Sequence, residues 1–336
     1  MRVAVFNDTQ TDTGHYGCEL VMRQLFTRLS ETGCEVVFSL PYNLDWRENI
    51  ELLPSKGTID LLLVNGEGSL HGAPQRKRPV SLIELGALAR DFYEIPSVLV
   101  NATLFNNHNE FYSNMQMFSE VWTRDEASAS TARVKGVKAR YCPDLTFSKK
   151  LGSGVVPRKG VGVTDSVNRQ TDWELRSFSN KLGFEFSAMD EDPSRLKIAD
   201  LRHFGRVKRF FGALTRDLTF GASLKYDSVD SFLDWVQSKE CVVTGRYHTV
   251  TICILTSTPF VYLESNTPKI DWLCADVGLD ISHRKISSNL LRTASADYIK
   301  EISQFSQEEL FSLNSFLQSS GARFDGMFES IKKLQL

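Results

Sequence analysis

Two successive α/β domains facing each other across a cleft are the fold class this sequence predicts. Three observations carry that reading. Short apolar strands alternate with amphipathic helical stretches along most of the 336 residues, the pattern of parallel sheets covered on both faces. The clearest strand, Ile59–Val64, is apolar on both faces from Leu61 to Val64, as central strands of a parallel sheet are. The alternation breaks once, at Lys149–Lys159, where glycine, proline and basic residues concentrate and a linker is expected. The chain thus divides into residues 1–150, 160–290 and a helical tail over 295–336, ordinary domain sizes.

The first domain opens on a strand at Val3–Phe6, bounded by Asn7-Asp8. Leu20, Val21, Leu25 and Leu29 recur at helical spacing and predict a helix over Glu19–Thr32, stopped by Gly33. A strand at Val36–Leu40 and the strand Ile59–Val64 follow, then a helix over Ser81–Tyr93 and a strand at Ser97–Asn101. A helix at Asn109–Phe118, a strand at Glu120–Thr123, a helix opening near Arg124 and a strand ending at Tyr141-Cys142 complete the domain. The second domain reads as strand Gly160–Thr164, helix Asp172–Leu182, strand Phe184–Ala188 and helix Ser228–Ser238, with Asp227 or Ser228 as N-cap. Strand Cys241–Thr244, helix Tyr247–Thr256, strand Pro259–Leu263 and helix Ile270–Val277 complete it, and the tail from Ser295 is an amphipathic helix.

Composition narrows the function classes. The hydrophobic fraction is 42% and the charged fraction 24%, enough apolar material for two cores. A net charge of −2 gives no global pull toward nucleic acid or an acidic membrane, so any anion must be caught by a local cluster. The six cysteines form no CxxC and no zinc-ligand spacing, so no metal and no disulfide framework is expected. The opening Met-Arg-Val-Ala-Val-Phe-Asn-Asp is a strand rather than a secretory segment, and the expected location is the cytoplasm.

In open α/β sheets ligands bind beyond the carboxyl ends of strands. Four such stretches stand out. Asn7-Asp8 leads into a loop holding Gly14, His15 and Gly17, where a helix N-terminus favours an anion. Gly66-Glu67-Gly68-Ser69 follows the buried strand; its two glycines suit either a nest of amides for a phosphate or carboxylate, or a tight turn. It is neither GxGxxG nor a P-loop. Arg124 stands at a strand end and a helix start, placed for a carboxylate, a phosphate or a neighbouring acid. Thr244-Gly245-Arg246-Tyr247-His248 offers an arginine to fork onto an oxyanion and a histidine to move a proton.

Taken in order, these stretches resemble the polysaccharide pyruvyl transferase family. The matching pieces also include Cys142-Pro143-Asp144-Leu145-Thr146-Phe147 and Ser265-Asn266-Thr267-Pro268-Lys269-Ile270, followed by Val277-Gly278-Leu279. The resemblance implies a GT-B-like fold of two Rossmann-like domains facing across a cleft. It implies transfer of a pyruvyl unit from phosphoenolpyruvate, with no further cofactor, to a carbohydrate acceptor. Arg246 and His248 would face the donor, with Arg124 and the Gly66–Ser69 loop nearby, and Asp144, Ser265, Asn266 and Lys269 lie in matching motifs. Two departures stand out. The first loop reads Gly17-Cys18-Glu19 where many members carry Gly-Asp, and Glu67 interrupts a run that is commonly all glycine. A carboxylate at Glu67 opposes a bound anion unless it is paired or turned away. A nucleotide-sugar glycosyltransferase, or a carbohydrate-binding member without activity, keeps the same fold. The basic and aromatic segment Arg202–Phe211 is either a cover for the cleft, a hold for a lipid-linked acceptor, a membrane contact or a solvated helix.

Overall fold

The computed structural model describes residues 1–10, 15–68, 70–73, 75–152, 156–189, 218–221 and 223–334. Gly14, Ser69 and the segment Arg202–Phe211 lie outside the described residues. The first sheet holds β1 (Arg2–Asp8), β2 (Glu35–Pro41), β3 (Leu61–Asn65), β4 (Ser97–Ala102), β5 (Glu120–Thr123) and β6 (Ala139–Tyr141). Its order is β2-β1-β3-β4-β5-β6. The second holds β7 (Val161–Ser166), β8 (Glu185–Ser187), β9 (Cys241–Gly245) and β10 (Phe260–Tyr262), in the order β10-β9-β7-β8. Every pairing between these strands is parallel.

In each sheet the first strand lies inside. β1 has β2 on one side and β3 on the other; β7 has β8 and β9. Consecutive crossovers therefore leave on opposite sides, and a crevice opens between β1 and β3, and again between β7 and β9. The functional side chains cluster at these two crevices.

The helices are α1 (Tyr16–Glu31), α2 (Lys77–Leu88), α3 (Asn109–Met115), α4 (Glu126–Val134), α5 (Arg169–Leu182), α6 (Val229–Gln237), α7 (Tyr247–Leu255), α8 (Lys269–Val277), α9 (Ser288–Thr293), α10 (Ala296–Ser303) and α11 (Gln307–Lys333). Three apolar clusters organise them. One lies on the outer face of the first sheet, where Leu82, Phe111 and Met115 meet Ala4, Leu62 and Val64. A second covers the outer face of the second sheet, with Leu175, Phe178 and Ile299. The third is shared: Val5 and Leu63 of the first sheet, Leu25 of α1, Phe232 of α6, Ile252 of α7 and Phe324 of α11 form one continuous core. Every residue of α7 is buried. A helix apolar all round must sit inside the protein, so the element that carries Arg246 and His248 at its start cannot shift without disturbing both halves.

The strands run further than alternation predicts. β1 continues through Asn7 to Asp8 and β7 through Asp165 to Ser166, because buried polar side chains at those ends find partners and keep the strands paired. The helix expected over Ser81–Tyr93 starts at Lys77, and its last turn, Ala89–Tyr93, widens to π geometry. The pair-end at Asp227 or Ser228 resolves to Ser228, whose side chain accepts the Ser231 amide. Among the described residues no helix is long and apolar enough to cross a membrane.

α11 returns to the first half. Phe316 packs on Phe147 with ring centroids 5.1 Å apart, Arg323 lies over the Tyr141 ring, and Ser330 donates to Glu120 at 2.5 Å. Its start is anchored by a capping box in which Ser306 and Glu309 satisfy each other's backbone amides. Glu309 also takes both a 3.2 Å and a 2.7 Å hydrogen bond from Arg284, a fully buried arginine that donates to the carbonyls of Phe260, Ser303 and Gln304 as well. Arg284→Met strands the Glu309 charge among those carbonyls, and loss of one partner of a buried ion pair costs about 3–5 kcal/mol. A clear fall in the urea unfolding midpoint is expected, and an unchanged midpoint contradicts this account.

Candidate active site

The two crevices face each other, and the side chains at their mouths meet. From the first sheet come Glu67 after β3, Arg124 after β5 and Asp144 after β6; from the second come Asp165 at the end of β7, then Arg246 and His248 after β9. All six are buried. Arg124 donates from Nη1 to Asp144 Oδ2 at 3.0 Å and from Nε to Thr103 Oγ1 at 2.8 Å, and its guanidinium lies 4.1 Å from the Tyr247 ring centroid. His248 Nε2 stands 3.3 Å from Glu67 Oε1 and 3.8 Å from Asp144 Oδ2. Burial opposes the Asp144 charge, yet His248 and Arg124 hold its carboxyl well below the usual carboxylate range. Arg246 forms a charge-assisted hydrogen bond with Asp165.

Glu67 is paired. Its Oε2 accepts from Thr9 Oγ1 at 2.7 Å, its amide donates to Asn65 Oδ1, and its other oxygen faces His248. The carboxylate is thus a fixed partner of the histidine, not a free charge in an anion site.

A short helix start explains how His248 comes so close. His15 is the N-cap of α1: its Nδ1 accepts the amides of Gly17 and Cys18 at 3.1 and 3.3 Å. Its ring lies edge-on to His248, 5.5 Å between centroids. A methyl group on Gly17 would sit 2.3 Å from His248 Cβ and Cγ, so only glycine lets the imidazole pack on that first turn. His15, Cys18 and His248 bring ligand-type atoms within 4.8 Å of one another. The grouping arises where the first turn of α1 packs on His248.

Cations line the rest of the opening. Arg76 Nη1 donates to His71 Nε2 at 2.7 Å, and the His71 pKa is pushed down to about 4 by burial and then by Arg76, Lys269 and Arg124. A guanidinium has no acceptor atom, so the imidazole nitrogen accepts and its proton sits on the other ring nitrogen. Lys269 begins α8, with its Nζ 6.0 Å from the Tyr247 ring centroid.

The expected residues do not all face the opening. Asn7 adopts φ +67 at a bulge, donates to Asn65 O at 2.5 Å and accepts from Arg78 at 2.6 Å, so it braces β1 against β3 instead of reaching a ligand. Two amides of the expected nest are spent: the Gly66 amide donates to Val100 O and the Glu67 amide to Asn65 Oδ1, while Gly68 is exposed at φ +64. Asn266 is exposed and Ser265 half-buried, and they hydrogen-bond to each other at 3.3 Å. Gly17 serves the packing of His248. Reasoning on the sequence missed Asp165, Thr9, Thr103, His71, Arg76 and Arg78. Asp165 was within reach of the strand-end rule, since it follows a recognised strand. Arg76-Lys77-Arg78 is a visible basic run. Thr9 and Thr103 carried no signal.

A model of the family described as polysaccharide pyruvyl transferase matches residues 15–267, three-quarters of the chain, a span that takes in His15, Glu67, Arg124, Asp144, Asp165, Arg246 and His248. The chain belongs to the polysaccharide pyruvyl transferase family. Family membership makes it a transferase. Its two-sheet architecture is that of GT-B proteins: it matches the structure of the glycotransferase of kitacinnamycin at 12% identity and TM-score 0.51, covering 100% of this chain and 99% of that one. It matches the S. aureus MnaA–UDP structure at 13% identity and TM-score 0.52, covering 93% of this chain and 94% of that one. No curated protein matches the sequence.

In this family member Gly17→Ala is expected to drive His248 off the helix start and lower turnover at least tenfold, while thermal unfolding moves by only a few degrees, since the change sits in a first helical turn. Full activity in that variant removes His248 from the working geometry.

Proposed function

We propose that the protein transfers a pyruvyl group from phosphoenolpyruvate onto two hydroxyls of a sugar in a surface polysaccharide or its precursor. The observation that carries this reading is the meeting of Arg246, His248, Arg124 and Glu67 at two facing crevices in a chain of this family. Phosphoenolpyruvate brings a carboxylate and a phosphate, and a cleft walled by Arg246, Lys269 and Arg76 suits both.

His248 is the general acid of the reading. A protonated ring passes its proton to the donor's methylene carbon, which becomes a methyl group. The double-bond electrons make that new C–H bond, and one sugar hydroxyl oxygen bonds to the neighbouring carbon. The second hydroxyl oxygen then displaces phosphate at the same carbon. Of the two hydroxyl protons, one restores His248 and the other leaves with phosphate, so hydrogens and charge balance. Glu67 and Asp144 orient the ring; Arg246, held by Asp165, supplies preorganised positive charge where phosphate departs.

A nucleotide-sugar glycosyltransferase is the second reading. It is supported by the GT-B architecture shared with a structure that holds UDP. The acceptor under either reading is a carbohydrate, and a lipid-linked precursor at the cytoplasmic membrane face is the form we favour.

The purified protein is expected to gain thermal stability with phosphoenolpyruvate, by about 2.7 kcal/mol at a hundredfold excess over Kd. With an acceptor sugar it releases phosphate. His248→Ala and Arg246→Ala lower that release by about a hundredfold or more, with the fold retained. Stabilisation by UDP and none by phosphoenolpyruvate transfers the case to the second reading.

A further inference from the structure

The cations of the cleft are not alike. Arg124 is neutralised by Asp144 and Arg246 by Asp165. Lys269 has no carboxylate partner among the described residues; its one hydrogen bond, to Asn266 Oδ1, is 3.4 Å long and weak. Its position is nevertheless well set. Trp272, one turn further along α8 on the same face, packs edge-on against Phe105 at 5.9 Å, and Phe105 bridges to His71. Through that contact the first turn of α8 is held against the far wall of the cleft, with Lys269 beside the Tyr247 ring on which Arg124 stacks.

We propose that Lys269 is the cation that meets the phosphate of the donor, and that the arrival of the anion is what charges it. This rests on the proposed function for the identity of the donor, not for the presence of an anion. The groups facing Lys269 account for the behaviour. Arg124 and Arg246 repel its charge, His71 across the cleft is neutral, and Glu67 is the acid that favours its charge, with Cys18 also near. Burial first, then the two arginines, brings the amine down to about 7. A phosphate dianion entering beside Lys269 reverses that balance. The amine takes one proton from solvent, and donor binding becomes linked to proton uptake. The arginines, always charged, cannot behave this way.

The sign follows directly. Below pH 7 the amine is already charged, and its contribution to affinity is flat. Above it, each donor bound draws a proton from solution, and the dissociation constant rises about tenfold per pH unit.

The test is calorimetric titration of the full chain with phosphoenolpyruvate, UDP and inorganic phosphate at pH 6 and pH 8, in buffers of different ionisation enthalpy. At pH 8 these phosphates are already mostly ionised, so uptake reports the protein. The expected result at pH 8 is uptake of most of one proton with whichever phosphate binds, and little uptake at pH 6. Lys269→Arg keeps binding but abolishes the uptake and flattens the pH dependence. Lys269→Met abolishes the uptake and weakens binding about tenfold to a hundredfold. Circular dichroism shows both variants folded. Uptake with UDP alone supports Lys269 while removing phosphoenolpyruvate as donor. Binding of any of the three probes without proton uptake, or uptake that persists in Lys269→Arg, overturns the proposal and leaves the pyruvyl reading intact. Failure of all three probes to bind overturns both.

Discussion

Asp144 is a carboxylate without water around it, held between an arginine of its own half and a histidine of the other. An isolated charge there would cost several kcal/mol, and such a group survives only when its partners are fixed. Much of the molecule serves to fix them. Arg124 is pinned by Thr103 and stacked on Tyr247. His248 is set by a helix buried on every side, and by a helix start stripped of its side chain at Gly17. The two halves are thus tied through a polar knot at their centre, wrapped by the apolar core they share.

That arrangement divides labour among charges that look equivalent in a contact map. Arg124 sits too deep to be a first point of contact and acts by holding Asp144 and Tyr247 in place. Arg246 lies closer to the mouth but carries a fixed counterion. Glu67, an awkward charge for an anion site, is converted into part of the histidine's support by Thr9 and Asn65. The net effect is a cleft in which each of these acids faces a basic side chain, while Lys269 has no carboxylate partner among the described residues.

The fold was legible because parallel strands buried on both faces write themselves as apolar runs, and the turn from strand to helix repeats with each unit. Strand ends were harder. Asn7, Asp165 and Ser166 look like loop residues in a linear reading, but pairing carries the strands through them. Of the site, His248, Arg246 and Arg124 were legible as chemistry at strand ends. Glu67 and Asp144 were legible too, but which side chains they pair with was not, nor was Asp165, since Glu67 to His248 and Arg246 to Asp165 span 181 and 81 positions. Asn7 and the Gly66–Glu67 amides misled for one reason: local pattern identifies a hydrogen-bonding group but does not say whether another part of the protein has already claimed it.

The chain passes between its halves at two places, near Lys149 on the way out and through α11 on the way back. A single tether would allow one half to swivel freely on the other. Two separated crossings restrict relative motion to an axis drawn through them, much as two hinges restrict a door. Any relative motion of the halves is then confined to swinging about that line, so residues along the crossings, remote from His248, bear on how the cleft opens.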